Sequence, residues 1–300
     1  MNPEKSERSE MIRAVIAVLS GFLFLALTGV CVKLEFKSGA SIEWIIVIQY
    51  LTGLIIILII ASKNKFTNLK TTNLKLQLLR GAAGISAFAC YATAISKIPL
   101  VNASLLNNTA PLFIPIVTMV WLKNKIDEKI WWGIFVGFTG IIFILDPSAG
   151  DFLKKGDLYG LASGIFLAFS YVVLGVLTKT ENFITIIFYY LLTGFIIFLP
   201  VALLSFSLPP LIIWIYGISA GILFISYLYL IQYAYRFVAA VKLSPLNFSV
   251  VVFTGIFDWL IFGNVPGILS IIGIILVIAG GILAITLHEK DNKDLKHHWH

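Results

Sequence analysis

Ten long apolar runs constrain the fold of this chain more than any other feature of its sequence. They lie at roughly 12–32, 42–61, 77–96, 102–122, 130–146, 158–178, 183–204, 211–234, 244–262 and 267–287. A helix needs about 20 mostly apolar residues to cross the hydrocarbon core of a bilayer, and most of these runs have that length. The segments between them are too short to hold a soluble domain. The pattern therefore predicts an all-α, polytopic membrane protein with ten transmembrane helices.

Composition excludes the main soluble classes. Hydrophobic residues make up 59% of the chain and charged residues 12%, against about 45–50% and about 25% in soluble domains. A cytosolic enzyme or a secreted module cannot bury that much apolar surface. The net charge of +7 lies between the apolar runs rather than on one face, so we expect no nucleic-acid partner.

The distribution of basic residues predicts the orientation of the chain. With the N-terminus inside, 17 of the 22 lysines and arginines fall in cytoplasmic segments. The other five lie outside: Lys33, Lys37, Lys97, Lys154 and Lys155. Because cytoplasmic loops carry an excess of lysine and arginine, this asymmetry predicts a multi-pass protein of the cell (inner) membrane with both termini cytoplasmic.

The two halves of the chain resemble each other. Residues 100–127 align with 239–266 without gaps, and this alignment places Asn108 on Asn247. Each half has five predicted spans, an odd number, so the second half enters the membrane from the opposite side. The prediction is two inverted five-helix repeats, as in many secondary transporters. The repeats cover 12–147 and 157–287, between cytoplasmic tails at 1–11 and 288–300.

Several longer segments resemble a known family. LLRGAAGISAFACYATAISKIPLVNASLLNNTAPLFIPI (78–116), GIFVGFTGIIFILDP (133–147) and YAYRFVAAVKLSPLNFSVVVFTGIFDWLIFGNVPG (233–267) are similar to EamA-type members of the drug/metabolite transporter superfamily. The resemblance extends over about 12–287 and implies transport of small organic solutes such as amino acids, nucleotide-linked compounds and drugs. The LLNNTAPLF segment resembles members suspected of S-adenosylmethionine uptake.

The chain departs from the family pattern at three places. Members often have Gly-Glu where spans four and nine end, but here the sequence is Lys123-Asn124-Lys125 and Gly263-Asn264-Val265. Members often have an arginine in span two at the position of Gln49. A mechanism that depends on those acids or on that arginine does not carry over to this chain.

Polar and aromatic side chains within the spans are the candidates for binding a solute. They are Asn107, Asn108, Asn247, Tyr91, Gln232, Gln49 and Tyr190. An amide offers donors and acceptors that suit a zwitterion or a nucleobase edge. Asparagine and glutamine also bond across transmembrane helix interfaces, so a purely structural role stays open for each.

Asp258 is the carboxylate that the sequence places deepest in a predicted span. Polar groups inside a bilayer are costly and therefore functional candidates. We consider three functional roles for Asp258: a proton-coupling acid, a cation-binding group, or an outer gate formed with Lys97. The alternative is a structural carboxylate in the outer headgroup region. Pro111, Pro115 and Pro245 predict helix kinks near the paired asparagines, because proline lacks a backbone donor.

Glycines at 133, 137, 140, 273 and 280 predict close helix packing, within the chain or in a homodimer. All four histidines lie at 288 or later, so we predict no metal site, no cofactor and no intramembrane enzyme. No GxxxxGK[ST] motif is present, which argues against direct drive by ATP. The main prediction is a secondary transporter of a small organic metabolite, amino acid-like or nucleoside-like. A non-transporting structural or regulatory membrane subunit is the alternative from another class.

Overall fold

The computed structural model describes residues 3–63, 65–66, 69–123, 130–145, 155–204, 208–235, 237, 243–265 and 267–297. Within these residues the chain is helical and contains no strands. The helices are α1 (Pro3–Lys37), α2 (Ile42–Ser62), α3 (Leu74–Lys97), α4 (Leu100–Asn107), α5 (Ala110–Leu122), α6 (Ile130–Leu145), α7 (Lys155–Leu177), α8 (Phe183–Leu204), α9 (Leu211–Tyr235), α10 (Ser249–Phe262) and α11 (Ile268–His297). A 3₁₀ helix, Ser244–Phe248, precedes α10.

Seven of the described helical segments are long and apolar enough to cross a membrane. They are Glu10–Lys37, Ile42–Ser62, Leu74–Lys97, Leu100–Leu122, Lys155–Leu177, Phe183–Leu204 and Leu211–Ala234. Three shorter apolar helices lie at Trp131–Phe143, Leu246–Phe262 and Ile268–Gly280. Large apolar side chains such as Ile59, Leu204 and Leu260 are 60–70% exposed on the outer surface of the bundle. Lipid would cover such a surface, and the chain is a multi-pass membrane protein.

The first helix is longer than the sequence pattern predicts. The apolar run ends near residue 32, but α1 continues to Lys37 and includes Lys33 and Glu35. The sequence pattern leaves Lys33 and Lys37 beyond the end of the first span, whereas the structure includes both in α1. The helix continues because Lys33 has an ionic partner inside the bundle. We call this end of the bundle, where α1 ends and α2 begins, the Lys37 end, and the opposite end, where α2 ends, the Ser62 end.

The fourth predicted span is interrupted. The structure divides it into α4 and α5 at Asn108 and Thr109. Pro111 lies in the first turn of α5, where a helix does not need the missing N–H, and the bond it would have donated to Asn107 does not form. Pro115 lies within α5. In the second half, Pro245 lies in the first turn of the 3₁₀ helix.

The helices pack in pairs that cross between the halves. α1 packs along α9, and α3 packs along α7; α2 packs against α9, and α8 packs against α3. The other substantial interhalf pairs among the described helices are α2 with α8, α4 with α10, α6 with α11, α1 with α10, α7 with α4 and α5, and α5 with α11. If α1–α6 are exchanged for α7–α11 in chain order, with α4 and α5 counted as one helix, each of these pairs maps onto itself or onto another pair of the set, except α5 with α11, whose counterpart would be α6 with α10.

Glycines bring α6 and α11 into backbone contact. A Cβ added at Gly140 would lie 2.7 Å from the Val277 nitrogen and 2.8 Å from the Gly273 carbonyl oxygen. A Cβ at Gly280 would overlap the backbone of Gly137. The predicted glycine faces therefore pack against each other within the chain, so a homodimer would have to form through another surface.

We expect Gly140→Ala to destabilise the protein by about 1–3 kcal/mol, because the methyl group meets backbone atoms that cannot turn away. The melting temperature of the purified protein in detergent would fall. Gly175→Ala is the matched control, since a Cβ there meets nothing within 4 Å and alanine favours a helix. Equal melting temperatures for the two variants would contradict the close packing of α6 and α11.

Candidate functional site

A buried ion pair lies near the Lys37 end of the bundle. The Lys33 Nζ atom lies 3.0 Å from Asp258 Oδ1, and the Asp258 side chain is fully buried. The second carboxylate oxygen, Oδ2, accepts a hydrogen bond from the backbone N–H of Val101 at 3.0 Å. The Asn264 side chain donates to Oδ1 at 2.9 Å. We call these four residues the Lys33–Asp258 network.

Local sequence explains why Asn264 reaches Asp258. Gly263 ends α10 in the left-handed conformation, with φ of 71°, which glycine adopts without a steric cost. Its N–H donates to the Trp259 carbonyl, and the N–H of Asn264 donates to the Asp258 carbonyl. This C-terminal turn directs the Asn264 amide back onto the Asp258 carboxylate.

The network connects α1, α4 and α10. Val101 lies in the first turn of α4, where backbone N–H groups have no helical acceptor and favour an anion. Lys33 and Lys37 also lie over the Phe262 ring, each with its Nζ atom 4.6 Å from the ring centroid. The Asp258 carboxylate thus forms an ion pair with a lysine and accepts hydrogen bonds from a helix N-terminus and a side-chain amide.

The structure pairs Asp258 with Lys33 and not with Lys97, the gate partner considered from the sequence. Lys97 is exposed at the end of α3, and the lysine that binds Asp258 is Lys33. No sequence pattern indicates this partner, because 225 positions separate the two residues. Asp258 is also not the only buried carboxylate in the helices, since Glu35 and Asp157 are buried as well.

Tyr91 lies toward the same end as the network. Its hydroxyl is 3.0 Å from where a Cβ of Gly29 would lie, and it forms a hydrogen bond with the Ser104 side chain. Because Gly29 has no side chain, the Tyr91 hydroxyl can pack closely against α1.

A second polar cluster lies deeper in the bundle, among α2, α3 and α8. The hydroxyls of Tyr50 and Tyr190 are hydrogen-bonded at 2.5 Å. The guanidinium of Arg80 lies over the Tyr190 ring, 4.0 Å from the centroid. We call these three residues the Arg80–Tyr190 cluster. Gly84 leaves room for it, because a Cβ there would lie 2.6 Å from the Tyr190 ring and 2.9 Å from Arg80 Nη1.

Several buried polar atoms have no hydrogen-bond partner among the described residues. They are both carboxylate oxygens of Glu35, both amide atoms of Gln49, the Gln77 Oε1 atom, the Arg80 Nε and Nη1 atoms, and the Ser249 hydroxyl. Buried polar groups without partners are rare in folded proteins, and each needs an explanation. Of this set, the sequence predictions included only Gln49.

The predicted asparagines lie at the two helix interruptions. Asn108 ends α4, and its side-chain amide donates to the Ser104 carbonyl at 2.8 Å. A Cβ at Gly164 would lie 2.7 Å from the Leu106 carbonyl and 3.4 Å from that of Asn107, so α7 packs directly on this interruption. Asn247 lies in the 3₁₀ helix, which packs against α1.

The predicted solute-binding residues are therefore distributed over different parts of the bundle. Tyr190 belongs to the Arg80–Tyr190 cluster, Tyr91 lies near Asp258, and Gln232 is partly buried on α9. Tyr50 and Arg80 were not predicted. The sequence signal that could have identified Arg80 is its position as the seventh residue of an apolar helix, α3. The orientation argument counts it among the cytoplasmic basic residues instead.

A polar contact at the Ser62 end joins two loops from different halves. Glu181 accepts hydrogen bonds from the Thr71 hydroxyl at 2.8 Å, the Thr72 N–H at 2.9 Å and hydroxyl at 3.0 Å, and the Asn73 N–H at 3.2 Å. Slight burial of this carboxyl acts to raise its pKa, but the hydrogen bonds outweigh burial and lower the pKa of Glu181. The carboxylate is thus ionised at neutral pH and holds the start of α3 beside α8.

The helical fold and the buried polar groups agree with the protein family that the chain resembles. The model of the EamA-like transporter family matches residues 12–146 and again 154–286. The chain belongs to the EamA-like transporter family. Members of this family are transporters rather than enzymes, as the sequence predicted.

Curated relatives carry different solutes. The chain is 24% identical to the pseudopaline exporter CntI of Pseudomonas aeruginosa (strain UCBPP-PA14) over 89% of this chain and 94% of the relative. It is 25% identical to an S-adenosylmethionine uptake transporter of Rickettsia bellii over 74% and 76%. It is 24% identical to a riboflavin transporter of Vibrio cholerae over 84% and 86%.

A solved crystal structure has the same fold. It superposes with a TM-score of 0.60 at 15% identity and covers 91% of this chain and 98% of its own. The likeness at this identity concerns the fold alone. Together these similarities establish a transporter fold, and the named solutes belong to the relatives.

We expect Asp258→Asn to destabilise the protein by about 3–5 kcal/mol, because it leaves the buried Lys33 ammonium without its counter-ion. The double variant Lys33→Met/Asp258→Asn would recover most of this loss, since both charges are then gone. Melting of the purified variants in detergent measures the coupling. Lys97→Met is the control, and it would melt as the wild type does. A Lys97→Met loss as large as that of Asp258→Asn would contradict the observed pairing.

Proposed function

We propose that this protein is a secondary transporter that moves a small organic metabolite, amino acid-like or nucleoside-like, by alternating access between two inverted five-helix halves. The observation that carries the proposal is the helix pairing. All the substantial interhalf pairs except α5 with α11 map onto one another when the halves are exchanged, as a pseudo-two-fold axis between two repeats would produce. The double match of the family model supports the same division at about residue 150.

Helix interruptions at related positions support a solute path between the halves. Asn108 ends α4, and Asn247 lies in the 3₁₀ helix before α10. α4 and α10 pack against each other. Interrupted helices near the centre of inverted repeats are typical of transporter sites, because their free backbone groups face a cavity rather than lipid. Asn107, Asn108 and Asn247 remain our proposed polar contacts there.

The two ends of the bundle are held by different polar contacts, and this supports alternating access. The Lys33–Asp258 network joins α1 and α4 of the first half to α10 of the second. At the Ser62 end, Glu181 joins the loop before α3 to the loop before α8. Opening one end while the other stays closed requires breaking one of these contacts at a time. We propose that the Lys33–Asp258 network is the gate at the external side.

The excess of lysine and arginine in alternate connections supports cytoplasmic termini in a cell (inner) membrane. In this orientation the α1–α2 turn is external. The equivalent turn of the second half, between α7 and α8, is cytoplasmic. This opposition is the distinguishing property of an inverted repeat.

Single cysteines at two equivalent turns test the inverted topology. The background variant replaces both native cysteines, Cys31→Ser and Cys90→Ser. We expect a membrane-impermeant maleimide to label Ser38→Cys in intact cells, and to label Lys179→Cys only after permeabilisation. Both positions are exposed, so reactivity reports the side of the membrane. Labelling of both cysteines from the same side would contradict the inverted repeat.

Counterflow in proteoliposomes tests transport itself. The panel contains L-phenylalanine, S-adenosylmethionine, adenosine and riboflavin, and we expect saturable exchange for an amino acid-like or nucleoside-like member. Uptake of S-adenosylmethionine alone would favour that alternative. Protein-free liposomes are the control, and the absence of exchange for every member would favour a non-transporting subunit.

Asp258 is the proposed coupling residue, because a carboxylate that closes a gate changes its bonds when the gate opens. The double variant Lys33→Met/Asp258→Asn avoids an unpaired buried charge. We expect it to retain counterflow exchange and to lose stimulation of net uptake by a pH gradient, by about tenfold. An unchanged pH profile would remove Asp258 from the coupling mechanism.

A further inference from the structure

The Arg80 guanidinium is a charged group inside a membrane-spanning helix without a counter-ion among the described residues. Arg80 lies six positions after the start of α3 at Leu74, which corresponds to about 9 Å along the helix. Its Nε and Nη1 atoms are buried and have no hydrogen-bond partner among the described residues. The guanidinium lies over the face of the Tyr190 ring, and the Arg80 side chain also forms a hydrogen bond with Tyr190.

This arrangement is costly for a structural residue. An ionised group in the bilayer interior is expensive and is usually paired with an opposite charge. The chain does provide such pairing elsewhere, since Lys33 has the Asp258 carboxylate at 3.0 Å. A ring face attracts a cation, but it does not accept the hydrogen bonds that two buried guanidinium nitrogens can donate. Arg80 thus retains donors that a bound group can use.

The neighbouring hydroxyls add a further donor. Tyr50 and Tyr190 share one hydrogen bond, so one of the two O–H groups donates to the other oxygen and the second O–H remains free to donate. A guanidinium and a free phenol O–H both favour an anion. The Ser170 hydroxyl donates to the Arg80 carbonyl at 3.3 Å, which leaves the guanidinium itself available.

We propose that the Arg80–Tyr190 cluster binds the carboxylate of the transported solute. The planar guanidinium donates to carboxylate oxygens in pairs, and it carries one positive charge. A phosphate, with nearly two negative charges, would call for a second cation, and the described part of the cluster contains only Arg80. The inference deepens the proposed function and rests on it, because it names the solute class as organic carboxylates.

Substitution of Arg80 tests this assignment with matched solutes. The carboxylate probes are L-phenylalanine and S-adenosylmethionine, and the probes without a carboxylate are L-phenylalaninamide and riboflavin. We expect the wild type to exchange a carboxylate probe in proteoliposomes. Arg80→Met would weaken half-saturation by that probe about thirtyfold or more, because a buried charged contact is lost. Arg80→Lys would retain part of the affinity, since the charge remains without the planar fork.

Lys75→Met is the matched control. Lys75 is an exposed cation in the first turn of the same helix, so its removal changes net charge equally and would leave exchange of the carboxylate probe unchanged. Wild-type exchange of L-phenylalaninamide or riboflavin in preference to the carboxylates would overturn the proposal. Unaltered exchange of the carboxylate probe by Arg80→Met would overturn it too.

Melting in detergent without solute separates this proposal from the proposed function. An unpaired buried charge does not stabilise a fold, so Arg80→Met would melt at the wild-type temperature or above it. A fall as large as that of Gly140→Ala would identify Arg80 as structural and overturn the carboxylate site. A wild type that exchanges no probe would count against the proposed function, and the melting comparison still decides the role of Arg80.

Discussion

The membrane interior offers no water to a polar group, and this constraint explains the unusual features of the structure. Backbone groups are satisfied within helices, which is why the described chain is helical. Where a helix is interrupted, a side chain adds a hydrogen bond to its last turn, as the Asn108 amide does at the Ser104 carbonyl, which also accepts the Asn108 backbone N–H. Where a charge is buried, the bundle brings a partner to it, as Asp258 meets Lys33. Packing follows from these requirements, and glycines such as Gly164 and Gly140 let the helices approach closely enough to meet them.

The two halves share a helix arrangement but differ in where they place charge. The pairing of α1 with α9 is matched by that of α3 with α7. The ion pair at the Lys37 end has no such counterpart among the described residues, and the Ser62 end is held by a loop carboxylate, Glu181. A symmetric scaffold with unlike contacts at its ends can favour one closed end over the other. The energy difference between conformations then depends on a few side chains rather than on the fold.

Periodicity and length predicted the positions of the helices, because each apolar run is itself the requirement for crossing a bilayer. The same rule failed at charged residues. It ended the first span before Lys33 and Glu35, because a charge in isolation is costly in lipid. For the same reason Arg80 was counted with the cytoplasmic basic residues, although it lies within the third predicted span, 77–96. Whether a partner removes that cost depends on contacts between residues far apart in the chain, as for Lys33 and Asp258. Asn264 illustrates this as well, since its role appears only once Gly263 turns it back onto Asp258.

Partnered and unpartnered polar groups therefore have different meanings in this bundle. The Asp258 carboxylate binds a lysine, a backbone N–H and a side-chain amide, so it holds helices together in this conformation. It can bind another group only when those bonds break. Asn264 fits that role, because a glutamate at this position would place a second carboxylate beside Asp258. Arg80 has the opposite character. Its Nε and Nη1 donors remain available in the folded bundle. In our proposal, a bound anion offsets the free-energy cost of burying these donors without partners.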